Sequence, residues 1–107
     1  PSRVALRPGM IVSDEPGYYR DKAYGIRCEN LVVVTEVQNP GAERPMLGFE
    51  ALTLVPFDYR LIDVSLLSGP ELQWLNDYHQ HVLETVGPLL GAADRDWLLQ
   101  ATRHIGP

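Results

Sequence analysis

The sequence predicts an α+β fold, antiparallel strands first and two helices after them, and three observations carry that expectation. The run from Tyr24 to Val37 is dense in β-branched residues, the signature of a strand. Beyond Ser65 the apolar residues recur at intervals of three and four, the spacing of a helix face. Proline-glycine pairs at Pro8-Gly9, Pro16-Gly17 and Pro40-Gly41 cut the first half into strand-length pieces.

Met10 to Glu15 reads as a short strand that stops at Pro16-Gly17, and Tyr18 to Ala23 reads as loop. Tyr24 to Val37 forms the next strand, ended by Asn39-Pro40-Gly41. Met46 to Val55 is a further strand, stopped by Pro56, which has no N–H to give a ladder. A first helix runs from about Pro70 to about Leu90, with Ser68 as cap, Pro70 in the first turn and Glu71 near the positive end of the dipole. Leu72, Leu75, Val82, Leu83, Val86, Leu89 and Leu90 make one apolar stripe on it, and Gly87-Pro88 should kink it or end it early. A second helix from about Ala92 to Thr102 buries Trp97, Leu98 and Ala101.

With 107 residues and 45% apolar content the chain can bury one modest core. A formal charge of -5, with nine Lys and Arg residues scattered along the chain, is wrong for tracking phosphates, so nucleic acid is not an expected partner. No stretch reaches the roughly 18 apolar residues of a membrane span, and Pro1-Ser2-Arg3-Val4-Ala5-Leu6 lacks the organisation of a signal peptide. A soluble, cytoplasmic chain is expected, with no membrane partner. It opens on Pro and not Met, and is expected to be a processed chain or, in preference, a piece of a longer protein. Cys28 has no second thiol with which to form a disulfide or a zinc knuckle, and is expected to be a small buried strand residue.

If the segments flanking Pro16 to Ala23 pair as a hairpin centred near Lys22, Glu15 lies opposite Glu29. Directly opposed residues on one sheet face have Cβ atoms about 4.5–5.5 Å apart, where like charges repel. A positive charge should sit between them. Arg27, two residues from Glu29 on the same face, can supply it, and so can a divalent cation. Carboxylate oxygens suit hard or borderline ions such as Mn²⁺ or Mg²⁺. Two carboxylates do not close a metal shell, so a metal site requires ligands that this chain does not contain. On spacing alone, Arg-paired surface carboxylates and metal ligands both remain open.

Two motifs bear on that choice, Pro8-Gly9-Met10-Ile11-Val12-Ser13-Asp14-Glu15-Pro16-Gly17-Tyr18-Tyr19 and Gly25-Ile26-Arg27-Cys28-Glu29-Asn30. Together they resemble the last two metal-ligand motifs of the pita-bread metallopeptidases, family M24. The double tyrosine, the stretch from Leu47 to Pro56 and the tail containing Trp74-Leu75-Asn76-Asp77-Tyr78-His79 are similar to the long cytosolic form of Xaa-Pro aminopeptidase, aminopeptidase P.

The resemblance implies the C-terminal portion of a pita-bread fold, with residues 1–60 the end of the catalytic domain and 61–107 a helical extension. It implies that Glu15 coordinates one metal and shuttles the proton, that Glu29 bridges two metals, and that Arg27 orients the carboxylates. The cofactor implied is a pair of divalent ions, Mn²⁺ by expectation. The reaction implied is removal of the N-terminal residue from peptides with proline in second position. The family's other ligands, two aspartates and a histidine, and its substrate-binding histidines lie upstream of the matched motifs, so this chain alone is expected to be inactive. Prolidase or methionine aminopeptidase is the alternative within the family. A pita-bread protein that only binds partners, or a dimerisation module, is the alternative outside catalysis. A homodimer or self-association through an uncovered apolar stripe is expected.

Other candidates are weaker. Asp14 alternates away from Glu15 and should face the other side of the sheet. Tyr18 and Tyr19 are read as loop tyrosines packing on a sheet edge in preference to a substrate cleft, and Glu50 as structural as readily as catalytic. His79 and His81 are two apart, point to different helix faces and cannot chelate one ion together, so both are read as surface or helix-packing residues; His104 has no supporting pattern.

Overall fold

The computed structural model describes residues 3–106; Pro1 and Ser2, part of the opening run weighed as a signal peptide, lie outside the described residues. Strands precede helices, as the α+β reading expects. β1 (Ile11–Asp14), β2 (Gly17–Arg20), β3 (Tyr24–Arg27), β4 (Asn30–Val37) and β5 (Met46–Ala51) are followed by α1 (Gly69–Val86) and α2 (Ala92–Ala101). The chain forms two compact units that divide after Thr53.

The first unit holds a three-stranded antiparallel sheet in the order β1-β4-β5 and a two-stranded sheet, β2-β3. Two turns set its corners by the same device. Pro8-Gly9 and Pro40-Gly41 each place a proline before a glycine at φ 90° and 91°, and the bonds Met10 N–H to Arg7 O and Ala42 N–H to Asn39 O close them. On the central strand β4, Asn30, Val32 and Val34 are buried at every second position while Leu31 between them is exposed, the two-residue period of a strand.

Two strand boundaries differ from the expectation. Tyr18 to Arg20 are not loop: they pair with Tyr24 to Ile26, leaving Asp21 to Ala23 as the turn, with Lys22 at φ 56°. The long strand expected from Tyr24 to Val37 is interrupted at Cys28-Glu29. The interruption falls across from Pro16, which cannot donate a ladder bond. Its carbonyl still accepts from the Cys28 N–H at 3.0 Å, so the two chain segments stay together across the gap and pairing resumes beyond it. Cys28, expected to be buried, is exposed in that gap. The third strand is also shorter than expected and ends at Ala51.

In the second unit, Asp58 and Asp63 each cap a short 3₁₀ turn, Tyr59–Leu61 and Val64–Leu66. Hydrogen bonds from Arg60 hold the Asp58 carboxyl down to about 2, so that cap stays ionised. Ser68 Oγ accepts from the Glu71 N–H at 3.2 Å, the expected N-cap of α1. α1 ends at Val86 and tightens into a 3₁₀ turn over Gly87–Leu89, where Pro88 offers no N–H.

The buried face of α1 is not the all-apolar stripe expected. Leu75 and Val82 are buried, but Leu72, Leu83, Val86 and Leu90 are half-buried and Leu89 is 83% exposed. Asn76, Tyr78 and His79 complete the buried face, because each finds a partner for its polar atoms. Asn76 exchanges two bonds with the Ile105 backbone, at 2.8 and 3.1 Å, pinning the chain end to the helix. On α2, Leu98 is buried with Thr102 one turn on, whereas Trp97, expected inside, is 63% exposed: one residue before Leu98 on a helix, it is turned about 100° away.

Candidate metal centre

Glu15 and Glu29 stand in the two gaps of the strand pairing. On one side of them Asp14 pairs with Asn30, and on the other Gly17 pairs with Arg27. Both ladders share one register, symmetric about Lys22, so Glu15 falls across from Glu29 as the hairpin argument expects. Both residues are exposed. Arg27 Nε lies 3.1 Å from Glu29 Oε2, supplying the positive charge that two opposed carboxylates require. The Arg27 guanidinium is held above its ordinary pKa, first by a hydrogen bond with the Tyr19 side chain, then by the charges of Glu29 and Glu15. The arrangement keeps Arg27 a permanent cation beside Glu29 and leaves carboxylate oxygens free to accept.

Asp14 is exposed at the end of β1, one residue out of phase with Glu15. Glu50 lies on β5 opposite Val33, on a different strand pair from the two carboxylates. Among the described residues no group of three or more His, Cys, Asp or Glu side chains converges on one point. Glu15 and Glu29 therefore fit a divalent cation as two oxygen donors of a larger shell and not as a closed site.

None of the histidines joins them. His81 and His104 are exposed. His79 is fully buried and both its ring nitrogens are engaged: the Phe57 N–H donates to Nε2 at 2.9 Å, and Nδ1 meets the Tyr59 hydroxyl at 2.6 Å. Because Nε2 accepts, the proton of the neutral ring sits on Nδ1 and is given to Tyr59, whose own hydroxyl donates to the Arg103 carbonyl. Burial pushes the His79 pKa down, in keeping with that neutral ring.

Tyr19 is the residue that reading the sequence placed wrongly. It was expected in a loop and lies instead in β2, opposite Gly25. The signal was present in the symmetry about Lys22, which puts Gly17, Tyr19, Gly25 and Arg27 on one face.

Comparison with known proteins bears directly on these motifs. The family model for the C-terminal region of peptidase M24 matches residues 45–105, and that for metallopeptidase family M24 matches residues 1–36. The chain belongs to the M24 metallopeptidase family.

Among M24 relatives, a protein named "Probable Xaa-Pro aminopeptidase P" from Coprinopsis cinerea is 49% identical over 108 residues, covering 97% of this chain and 17% of the relative. Aminopeptidase P2 of Arabidopsis thaliana is 50% identical over 103 residues, covering 94% of this chain and 14% of that protein. A solved structure, the X-prolyl aminopeptidase of Caenorhabditis elegans, described as a cytosolic enzyme with a di-nuclear active site, superposes with a TM-score of 0.87 at 36% identity. That match covers 98% of this M24 chain and 18% of the worm protein, so the chain spans less than a fifth of the length of these relatives. The strands and two helices are thus the C-terminal portion of a pita-bread fold. Among the described residues no helix is long and apolar enough to cross a membrane.

Proposed function

We propose that this chain is the C-terminal part of a cytosolic Xaa-Pro aminopeptidase in which Glu15 and Glu29 complete a dinuclear metal centre. The observation that carries the reading is the register that sets Glu15 across from Glu29 with Arg27 3.1 Å from the latter. The Xaa-Pro aminopeptidase names of the relatives, over nearly the whole chain, support this substrate class over prolidase or methionine aminopeptidase. In this reading residues 1–60 close the catalytic domain and 61–107 are its helical extension.

Two divalent ions held there, for which the oxygen donors favour Mn²⁺, would supply an acidified water and a Lewis acid for the scissile carbonyl. Every other part of the site is protein. Glu29, oriented by the Arg27 contact, would be one carboxylate holding the ions. Glu15 would be the other carboxylate holding them and, as general base and then acid, would take a proton from the attacking water and pass it to the proline nitrogen as the bond to it breaks. Exposed Leu61, Leu66, Trp74, Leu89 and Trp97 on the helical unit favour a homodimer, since large apolar side chains left in water mark contact surfaces.

The test is Glu15→Gln and Glu29→Gln, separately, in the full-length enzyme, each of which keeps the side-chain shape and removes the charge. We expect both to lose at least about a hundredfold in kcat/KM on an Xaa-Pro peptide, with weaker manganese binding by calorimetry. Near-normal turnover by either variant rejects the assignment.

A further inference from the structure

The end of β5 hands its last bond to a side chain. Val32 on β4 pairs with Ala51, the last residue of β5, so the same register sets Leu31 opposite Leu52. In an antiparallel ladder a hydrogen-bonded pair exchanges both of its backbone bonds. Half of that exchange is made here: the Leu52 N–H donates to the Leu31 carbonyl at 2.8 Å. The returning bond goes elsewhere. The Leu31 N–H donates to the Thr53 hydroxyl oxygen at 2.9 Å, and the Thr53 N–H leans on the Leu31 carbonyl at 3.4 Å. A side-chain oxygen thus stands in for a ladder carbonyl just where strand structure ends and the chain runs on to Pro56.

Threonine suits that task. Its branched Cβ leaves χ1 few wells, so the hydroxyl stays where the backbone puts it, and its oxygen accepts without the strand having to continue. Leu31 is exposed, so water takes up its N–H if the hydroxyl is removed, and the bond contributes little to stability. What it supplies is order at the start of β4. Glu29 lies outside both ladders, and its position depends on what anchors the chain on either side of it. Before it, the Cys28 N–H donates to the Pro16 carbonyl at 3.0 Å. After it, Asn30 pairs with Asp14 on the β1 edge of β4, and Leu31, about 7 Å of strand beyond Glu29, is held on the β5 edge by Leu52 and Thr53. Without the hydroxyl the β5 edge keeps only the carbonyl end of that anchor, and the start of the strand gains freedom to twist about the β1 ladder.

We propose that Thr53 is a positioning residue whose hydroxyl fixes the start of β4 and, through it, the orientation from which Glu29 meets a metal ion. The inference rests on the metal-site reading of Glu29 and extends it to a residue outside the ligand set, acting through the Leu31 backbone. Groups that orient a metal ligand from outside typically account for about ten- to a hundredfold in metal affinity or activity. Because Thr53 acts through two residues of backbone, the low end of that range, about tenfold, is expected.

The experiment compares the full-length protein with its Thr53→Val, Thr53→Ala, Thr53→Ser, Glu29→Gln and Ser68→Ala variants. For each, kcat and KM on an Xaa-Pro peptide are measured, with manganese affinity of the metal-free protein by calorimetry and the unfolding midpoint. Thr53→Val keeps the branched shape and removes the hydroxyl; Thr53→Ser and Thr53→Ala differ from each other in the hydroxyl alone, so that pair decides if the valine variant fails to fold. We expect the valine and alanine variants to lose about tenfold in both kcat and manganese affinity, with KM within about twofold, and the serine variant to stay within about threefold of the unmodified protein. Ser68→Ala, which removes a helix cap in the other unit, should lower the midpoint and leave kcat and manganese affinity unchanged. If the variants lacking the hydroxyl match the unmodified protein in kcat and manganese affinity while Glu29→Gln loses both, the positioning role is overturned and the metal site stands. A serine variant as impaired as the alanine variant overturns it as well, since the shape at position 53 and not the bond would then matter. Equal losses in Ser68→Ala overturn it too, because reduced stability would account for them. An active Glu29→Gln variant with unaltered metal binding rejects the underlying metal assignment instead.

Discussion

His79 illustrates what a single residue can hold together. Its ring accepts from the Phe57 N–H and engages Tyr59, which passes on to the Arg103 carbonyl, and the Arg103 guanidinium lies 4.8 Å over the Tyr59 ring. Protonating His79 would set a second N–H against the Phe57 N–H, in a buried site that already has a cation nearby. Burial lowers its pKa, so the folded chain takes up the proton at lower pH than the unfolded chain, whose histidine titrates near pH 6.5. Unfolding then binds a proton, and stability falls as pH drops below about 6.5 toward the folded value and is level, as far as His79 is concerned, above about 7.5. Urea midpoints from pH 8 to 5 should show this fall, and His79→Gln should flatten it; equal slopes in the two proteins would dismiss the role. The sequence showed a histidine that could not chelate with His81. It did not show which backbone donor would claim it, because Phe57 and Arg103 are more than twenty residues away.

At the scale of elements, local chemistry was readable wherever a signal acts over a few residues. Ser68 two residues before Pro70, with Glu71 in the first turn, marks the start of α1, and the Ser68 hydroxyl is found on the Glu71 N–H. Ser68→Ala should therefore cost about 1 kcal/mol of stability, and Ser68→Gly only a few tenths, measured by urea unfolding. A loss for alanine no larger than for glycine would mean that the cap bond contributes nothing. Pro16 was read correctly as a breaker and wrongly as an end. It removes one donor from the ladder, but the two tyrosines after it have high strand propensity and find partners in Tyr24 to Ile26, so the hairpin continues past it. The same interruption creates the gap in which Glu15 and Glu29 face each other, bridged by the Cys28 N–H bond to the Pro16 carbonyl.

For the whole molecule, the decisive fact is how little of the site one chain of 107 residues contains. Two carboxylates with an arginine can accept a cation, but no third ligand converges on them among the described residues. On the proposed reading, the chain by itself is expected to hydrolyse no Xaa-Pro peptide and to show no stoichiometric manganese binding in the micromolar range, and the full-length protein is expected to do both. Calorimetry and a peptide assay on the two proteins side by side check this, and hydrolysis by the isolated chain at high purity would refute it. Its large exposed apolar residues, Leu61 at 85%, Leu89 at 83% and Trp97 at 63%, are the side chains available to the proposed dimer contact.

The amino-acid sequence by itself determined the class of fold, that strands precede two helices, the helix cap, the turns at Pro8-Gly9 and Pro40-Gly41, and, given a hairpin centred near Lys22, the register that opposes Glu15 and Glu29. Each depends on propensity, periodicity or symmetry within a few tens of residues, which a linear reading carries. Tertiary structure alone decided that Trp97 faces water, that Asn76 and His79 share the buried face of α1 with Leu75, and that the Tyr19 ring lies over Gly17 and Gly25. Those outcomes turn on which distant backbone groups satisfy a buried polar atom and on how much room a neighbouring strand leaves, quantities that exist only once the chain has packed.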